Sequence, residues 1–199
     1  MNSNESIVVI PARLESKRLP GKILADIEGK TMIQRVIESC LDAKLPQRVV
    51  LCTDNQKIAD EVKRLNIEIF FTKQDCDSGS ERISSVLHKI IPKNNLSNIL
   101  IINVQGDQPF LDSNILDLMC NEFHKKNPKP DVLTPIYKLS PNKIHDPNVV
   151  KTLVGHDKKA LYFSRSALPY VRGVDKEELT RGMVLAKPGS ITMVATRQF

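Results

Sequence analysis

The sequence predicts an α/β protein, with a mostly parallel sheet covered by helices on both faces and a smaller β-rich lobe after it. Three observations predict this. From Ser6 to Phe123, short apolar runs alternate with stretches whose apolar residues recur at three and four. The runs are continuous rather than alternating, as strands buried on both faces require. After Asn127 the texture changes, and Pro128, Pro130, Pro135, Pro141 and Pro147 punctuate shorter β-like runs.

The elements follow in order. Ser6 to Ile10 is β-branched and closed by Pro11, which reads as a buried first strand. Met32, Ile33, Val36, Ile37, Cys40 and Leu41 place one apolar face on a helix, and Arg48 to Thr53 is the next strand, completing a βαβ unit. Ile58, Ala59, Val62 and Leu65 mark a second helix, for which Asp54 reads as the N-cap. Ile67 to Phe71 is a third strand, and Ile83, Val86, Leu87, Ile90 and Ile91 form a third helix. Asn98 to Val104 is the strongest strand signal. Ile115, Leu116, Met119, Cys120 and Phe123 then repeat helically behind Asp112 and Ser113, either of which can cap. In the lobe, Val132 to Ile136, Val149 to Val154 and Ala160 to Ser164 read as strands, antiparallel to one another.

Composition narrows the function. At 199 residues the chain amounts to one ordinary domain with room for a lobe. Apolar residues at 41% and charged ones at 26% suit a globular core and exclude disorder. The apolar runs are far too short to span a bilayer, and Met1 to Ser6 lacks the pattern of a secretory signal, so a cytosolic location without membrane partners is expected. Cys40, Cys52, Cys76 and Cys120 lie at wide, irregular spacings without neighbouring histidines, which reads as reduced, buried thiols rather than zinc ligands or disulfides. The net charge of +6 is scattered, aromatics are only 5%, and tryptophan is absent, so nucleic acid is not expected as a partner. A small polyanion suits the same charge.

Open α/β sheets bind ligands beyond the carboxyl ends of their strands, so the loops after Ile10, Thr53, Phe71 and Val104 should rim one crevice. The first, Pro11 to Lys22, carries Arg13, Lys17, Arg18 and Lys22, but neither a G-x-G-x-x-G nor a P-loop. Phosphates would there be held by arginine and lysine side chains with backbone amides. Charge alone leaves a solvated loop open; position favours anion binding. After the fourth strand, Asn103-Val104-Gln105-Gly106-Asp107-Gln108-Pro109 turns a carboxylate toward the crevice. Magnesium takes one or two carboxylates with waters and phosphate oxygens, which suits Asp107, although a turn in which Asp107 bonds its own backbone accounts for the same residues. Asp77-Ser78-Gly79-Ser80-Glu81-Arg82 opens the third helix. Ser78 or Ser80 can cap it, while Arg82 in the first turn opposes the helix dipole, a cost that a bound anion would offset. Arg165, ending Tyr162-Phe163-Ser164-Arg165, reads equally as a carboxylate clamp or as a surface arginine. His88, His124, His145 and His156 have no partner spacing and take no role.

The blocks I-P-A-R-L-E-S-K-R-L-P-G-K (10–22), S-G-S-E-R (78–82), N-V-Q-G-D-Q-P (103–109), D-P-N-V-V-K (146–151) and A-L-Y-F-S-R (160–165), in this order ahead of Pro169, closely resemble the 3-deoxy-manno-octulosonate cytidylyltransferases, also called CMP-KDO synthetases. The likeness runs from about Ser6 to Arg172. It implies a Rossmann-like nucleotidyltransferase fold, generally homodimeric, that joins CTP and KDO into CMP-KDO and pyrophosphate with magnesium, for lipopolysaccharide. Position by position, it implies that Lys22, Asp107 and Arg13 are catalytic. Arg13 and Lys22 match contacts to the CTP phosphates, and Asp107 matches a magnesium ligand. Ala12, Ser78, Gly79 and Ser80 fall near the nucleotide, whereas Gln105, Arg82 and Arg165 fall near the sugar acid. The same pattern admits a cytidylyltransferase for another, sialic-acid-like sugar, or a CTP-binding protein without turnover; Y-F-S-R and V-Q-G-D favour KDO.

Departures are few within the blocks: Gln108 replaces the family's usual Glu, and Ile23 its usual Pro. The family's later motifs, H-x-G-x-Y-x-Y, L-E-Q-L-R and V-D-T-P-E-D with its second magnesium-holding Asp, do not occur. Residues 1–172 accordingly read as the nucleotidyltransferase domain, with the β-rich lobe within about 131–172, and 173–199 as an atypical tail without clear periodicity.

Overall fold

The computed structural model describes residues 5–16, 19–91, 99–140, 143–168 and, as backbone, 192–196. Lys17, Arg18, Pro169 and the tail as far as residue 191 lie outside the described residues. The chain divides into two units, Met1–Asn121 and Glu122–Phe199.

In the first unit a four-stranded sheet runs in the order β5-β4-β1-β6, all neighbours parallel. Its strands are β1 (Ser6–Ala12), β4 (Arg48–Thr53), β5 (Glu68–Phe71) and β6 (Leu100–Asn103). β1 is central because it has no polar face to offer water. Ile7, Val8, Val9 and Ile10 are all fully buried. Successive side chains point to opposite faces. Ile7 and Val9, with Val50 and Cys52 from β4, pack against Ile83, Val86 and Ile90 of α3 (Gly79–Ile90). Burying each such side chain contributes about 1.5–3 kcal/mol. The alternate residues Val8, Ile10 and Leu51 are equally buried, and α1 (Met32–Leu41) packs on β1 and β4 through Ile33, Val36, Ile37 and Cys40.

Local chemistry sets the helix ends. Thr31 and Gln34 form a capping box at α1, each side chain bonding the other's backbone N–H. α2 (Gln56–Val62), continued by a 3-10 turn at Lys63–Leu65, is capped by Asn55, whose Oδ1 accepts from Lys57 N at 2.9 Å. The expected cap, Asp54, is instead committed to Arg82. Ser78 Oγ accepts from Glu81 N at α3, and Asp112 Oδ1 accepts from Asn114 N at α4 (Ser113–Lys125). Before α1, β2 (Asp26–Ile27) and β3 (Lys30–Thr31) form a small hairpin that the sequence pattern does not signal. Its turn places Glu28 and Gly29 at positive φ, as two-residue hairpins require.

Several strand bounds differ from the expected ones: β5 begins at Glu68 rather than Ile67, and β6 covers Leu100–Asn103 of the expected 98–104. β1 continues through Pro11 to Ala12, in register with Cys52 and Thr53. Pairing with β6 ends at Val9 opposite Asn103, so Pro11 sits where one side of the strand has no partner. β8 begins at Lys151 rather than Val149, after the turn around Asp146.

In the second unit β7 (Val132–Ile136) pairs antiparallel with β10 (Thr192–Thr196), and β8 (Lys151–Val154) pairs antiparallel with β9 (Ala160–Ser164). β10 falls within the stretch read as aperiodic: Thr192-Met193-Val194-Ala195-Thr196 is strand-like in composition but too short to stand out.

Candidate active site

The chain builds the sheet outward from β1 through β4 to β5, then returns to place β6 on the other side of β1. The carboxyl ends of β1 and β6 therefore diverge, which opens a crevice between their loops. A cavity of about 170 Å³ lies there.

Lys22 is brought to its wall by the loop after β1. Gly21 adopts left-handed φ of 69°, which turns the chain into a 3-10 helix over Lys22–Leu24. Gly21 N donates to Leu14 O at 3.2 Å, closing the loop. Ile23 is buried and anchors the turn, leaving its neighbour Lys22 at the rim. Across the cavity, the turn after β6 presents Asp107, and Lys22 Nζ meets Asp107 Oδ2 at 2.5 Å. Both side chains keep substantial exposure, 33% and 45%. A pair so open to water contributes little to stability and is free to exchange partners. Asp107 thus faces a cation, not its own backbone.

Two glycines let the walls approach. A Cβ on Gly106 would lie 2.8 Å from Ile23 Cδ1 and 3.3 Å from the Pro11 carbonyl oxygen. One on Gly79 would lie 3.0 Å from Pro11 Cγ and 3.4 Å from Gln105 Oε1. Gly106, Pro11 and Ile23 line the cavity and were not singled out by charge or motif chemistry; the G in V-Q-G-D was the available signal.

Of the predicted residues, Ala12, Arg13, Lys22, Ser78, Gly79, Arg82, Gln105 and Asp107 all line this cavity. Arg13 is exposed, and its guanidinium makes no ion pair or hydrogen bond among the described residues. With Glu15 it also borders an adjoining cavity of about 120 Å³ that reaches Asp54, Asn55 and Gln74. Gln105 Nε2 donates to Asn103 Oδ1 at 2.9 Å. Ser80 lies in the first turn of α3 and is not among the lining residues. Arg165 belongs to the second unit, where its guanidinium donates to the Pro147 carbonyl at 2.9 Å.

Arg82 lines the cavity from a buried position. Only 2% exposed, it gives Nη2 to Asp54 Oδ2 at 2.8 Å and Nη1 to Thr72 Oγ1 and the Lys73 carbonyl. A protein carboxylate answers its charge at the start of α3.

All four cysteines are free and buried. Burial pushes the Cys40 and Cys52 thiols up to about 12, Arg82 pulling the other way on Cys52, and raises Cys120. Thiols so raised stay protonated at neutral pH and are poor nucleophiles. Among the described residues no group of three or more His, Cys, Asp or Glu is arranged to hold a metal, so Asp107 is a single carboxylate facing a cationic loop. No described helix is long and apolar enough to cross a membrane.

A family model described as cytidylyltransferase matches residues 7–190. The chain belongs to the cytidylyltransferase family. It is 36% identical over 181 residues to the 3-deoxy-manno-octulosonate cytidylyltransferase of Porphyromonas gingivalis (strain ATCC BAA-308 / W83), covering 90% of this chain and 69% of that one. To the protein of the same name from Haemophilus influenzae (strain PittGG) it is 42% identical over 172 residues, covering 83% and 63%. The chain thus spans about two thirds of the length of the curated relatives it matches. Among solved structures it resembles CMP:2-keto-3-deoxy-manno-octonic acid synthetase complexed with CTP, with a TM-score of 0.76 and 33% identity over 85% of this chain and 67% of the other. Like the members of this family, the chain has a Rossmann-like nucleotidyltransferase fold with a parallel central sheet.

Proposed function

We propose that the chain transfers CMP from CTP to the anomeric hydroxyl of KDO, releasing pyrophosphate and supplying CMP-KDO for lipopolysaccharide. The observation that carries this reading is the meeting of Lys22 and Asp107 across a cavity at the β1/β6 switch point, with Arg13 beside them making no ion pair among the described residues. A triphosphate needs cations on flexible stems, and a carboxylate among them is useful only when a divalent ion bridges it to the phosphates. The relatives' shared name and the CTP complex of the structural neighbour support the substrates.

Attack by the sugar hydroxyl on the α-phosphorus and departure of pyrophosphate require alignment and charge neutralisation rather than a protein nucleophile. In this reading Arg13 and Lys22 hold the phosphates. The close approach of Gly79 to Pro11 and Gln105 shapes the wall against which nucleotide and sugar are aligned. Gln105 is assigned to the sugar acid. An exposed carboxylate among cations fits magnesium: Asp107 would hold it, and Lys22, itself partly exposed, is free to pair with a phosphate instead. The bound ion supplies charge neutralisation on the phosphates. A homodimer in the cytosol is part of the same proposal and rests on the family resemblance.

Incubation with CTP, magnesium and a panel of sugar acids, read by pyrophosphate release and product mass, tests the proposal. Turnover with KDO is expected. Turnover with a nine-carbon sugar acid but not with KDO, or CTP binding without any product, would overturn it.

A further inference from the structure

We infer that Asp54 is a positioning residue of the cleft: through its ion pair with Arg82 it holds the first turn of α3, and with it Ser78 and Gly79, at the distance the nucleotide wall requires. The inference deepens the proposed function and rests on it only for the identity of the ligand.

Three observations carry it. Arg82 is 2% exposed and Asp54's side chain 11%, so water has little access to either charge and each is the other's main counter-charge. A buried guanidinium without a partner is strongly disfavoured, and Arg82 stands in the first turn of a helix, where the dipole adds to the penalty. The 2.8 Å contact to Asp54 is therefore what lets a cation occupy that position. Next, the donors of one guanidinium reach three places: Asp54 beyond β4, Thr72 and Lys73 beyond β5, while its own backbone opens α3. These are the carboxyl-end loops of two strands, tied to a helix start by a planar group with a fixed fork of donors. Finally, the turn so tied has little slack. At Gly79 a single added carbon would come 3.0 Å from Pro11 and 3.4 Å from Gln105. Arg82 lines the main cavity and Asp54 the adjoining one, so their ion pair ties a residue of one lining to a residue of the other.

Asp54 acts at one remove, through Arg82, which makes a double-mutant cycle the suitable test. Asp54→Asn, Arg82→Gln and the double variant are compared with wild type by amide hydrogen exchange over residues 78–82 and by calorimetric titration with CTP and magnesium. Exchange in that turn is expected to quicken in each single variant relative to the rest of α3. CTP affinity is expected to fall on the order of 10- to 100-fold with unchanged stoichiometry, since small misplacements of a wall have effects of that size. A merely structural role would instead lower the binding-competent fraction and leave the affinity of the folded fraction as it was.

The double variant, having no uncompensated charge, keeps the test readable if Asp54→Asn does not fold. It should match Arg82→Gln alone within about twofold, because the two residues act as a unit. Losses that multiply in the double variant, or unchanged exchange over 78–82 in Asp54→Asn, would overturn the inference. Exchange needs no ligand, so a chain that fails to bind CTP counts against the proposed function while the role of Asp54 is still decided.

Discussion

Gly106 shows how much of the site depends on atoms that are missing rather than present. Its Cα lies where a Cβ would press on Ile23 Cδ1 at 2.8 Å and on the Pro11 carbonyl at 3.3 Å. The isoleucine tip can turn aside; the carbonyl belongs to the central strand and cannot. Gly106→Ala should therefore destabilise the fold by about 1–3 kcal/mol, the range for overpacking. It should also widen the gap between Lys22 and Asp107, because Ile23 anchors the turn that carries Lys22. Urea unfolding measures the first effect. Shortening the obstructing side chain, in Gly106→Ala with Ile23→Val, should recover part but not all of the loss, since the carbonyl contact persists. Full recovery would place the strain on Ile23 alone.

At the scale of elements, β4 and β5 are joined at one end by Arg48 and Glu68, whose Nε–Oε1 and Nη2–Oε2 contacts are 2.7 and 2.8 Å. The hydrogen bond from Arg48 holds the Glu68 carboxyl below its ordinary value, its Coulombic attraction adding to this and burial opposing it. A carboxyl with a depressed folded pKa contributes stability that is present above its unfolded pKa and lost as pH falls through the folded one. Unfolding followed against pH should therefore show Glu68→Gln less stable than wild type at pH 7, with the difference shrinking as pH falls below the ordinary glutamate range near 4.5. The carboxylate is 46% exposed, so the effect is small, as measured for surface pairs, at about 0.2–1 kcal/mol. A difference that grows on acidification would contradict the assignment.

The same scale shows what the sequence can and cannot tell. β1, β4 and β6 were legible because continuous β-branched runs have few alternatives to burial in a parallel sheet, and α1, α3 and α4 because their apolar faces keep helical period over three turns or more. The β2–β3 hairpin was not: two residues per strand carry no periodicity, and its signal is only the positive-φ pair Glu28 and Gly29. Asp54 was misread for a reason of range. As a residue just before a helix it looks like a cap, and its partner lies 28 positions away. Caps are local and can be read locally; ion pairs between loops depend on how the sheet is ordered. Asp107 and Lys22, 85 positions apart, were brought to one crevice only because strand-end loops of an open sheet share an edge, and their direct contact was not foreseen.

For the whole molecule, the proposed function gives the excess of positive charge one place to act. The net charge of +6 is spread over the chain, but at the β1/β6 crevice, among the described residues, Arg13 makes no ion pair and Lys22 pairs with an exposed carboxylate alone. Such a site attracts a polyanion, yet Asp107 would repel it unless a divalent ion bridges the two. The account therefore makes Asp107 favourable to nucleotide binding when magnesium is present and unfavourable when it is absent. The measurement that tests this most directly is calorimetric titration of CTP into the wild-type chain and Asp107→Asn, each with magnesium and with chelator. Wild type should bind more tightly with magnesium by at least about tenfold, or 1.4 kcal/mol, while the variant should show little dependence on the ion and bind free CTP no more weakly than wild type does. Equal magnesium dependence in the two proteins, or no binding of CTP to wild type at all, would contradict it.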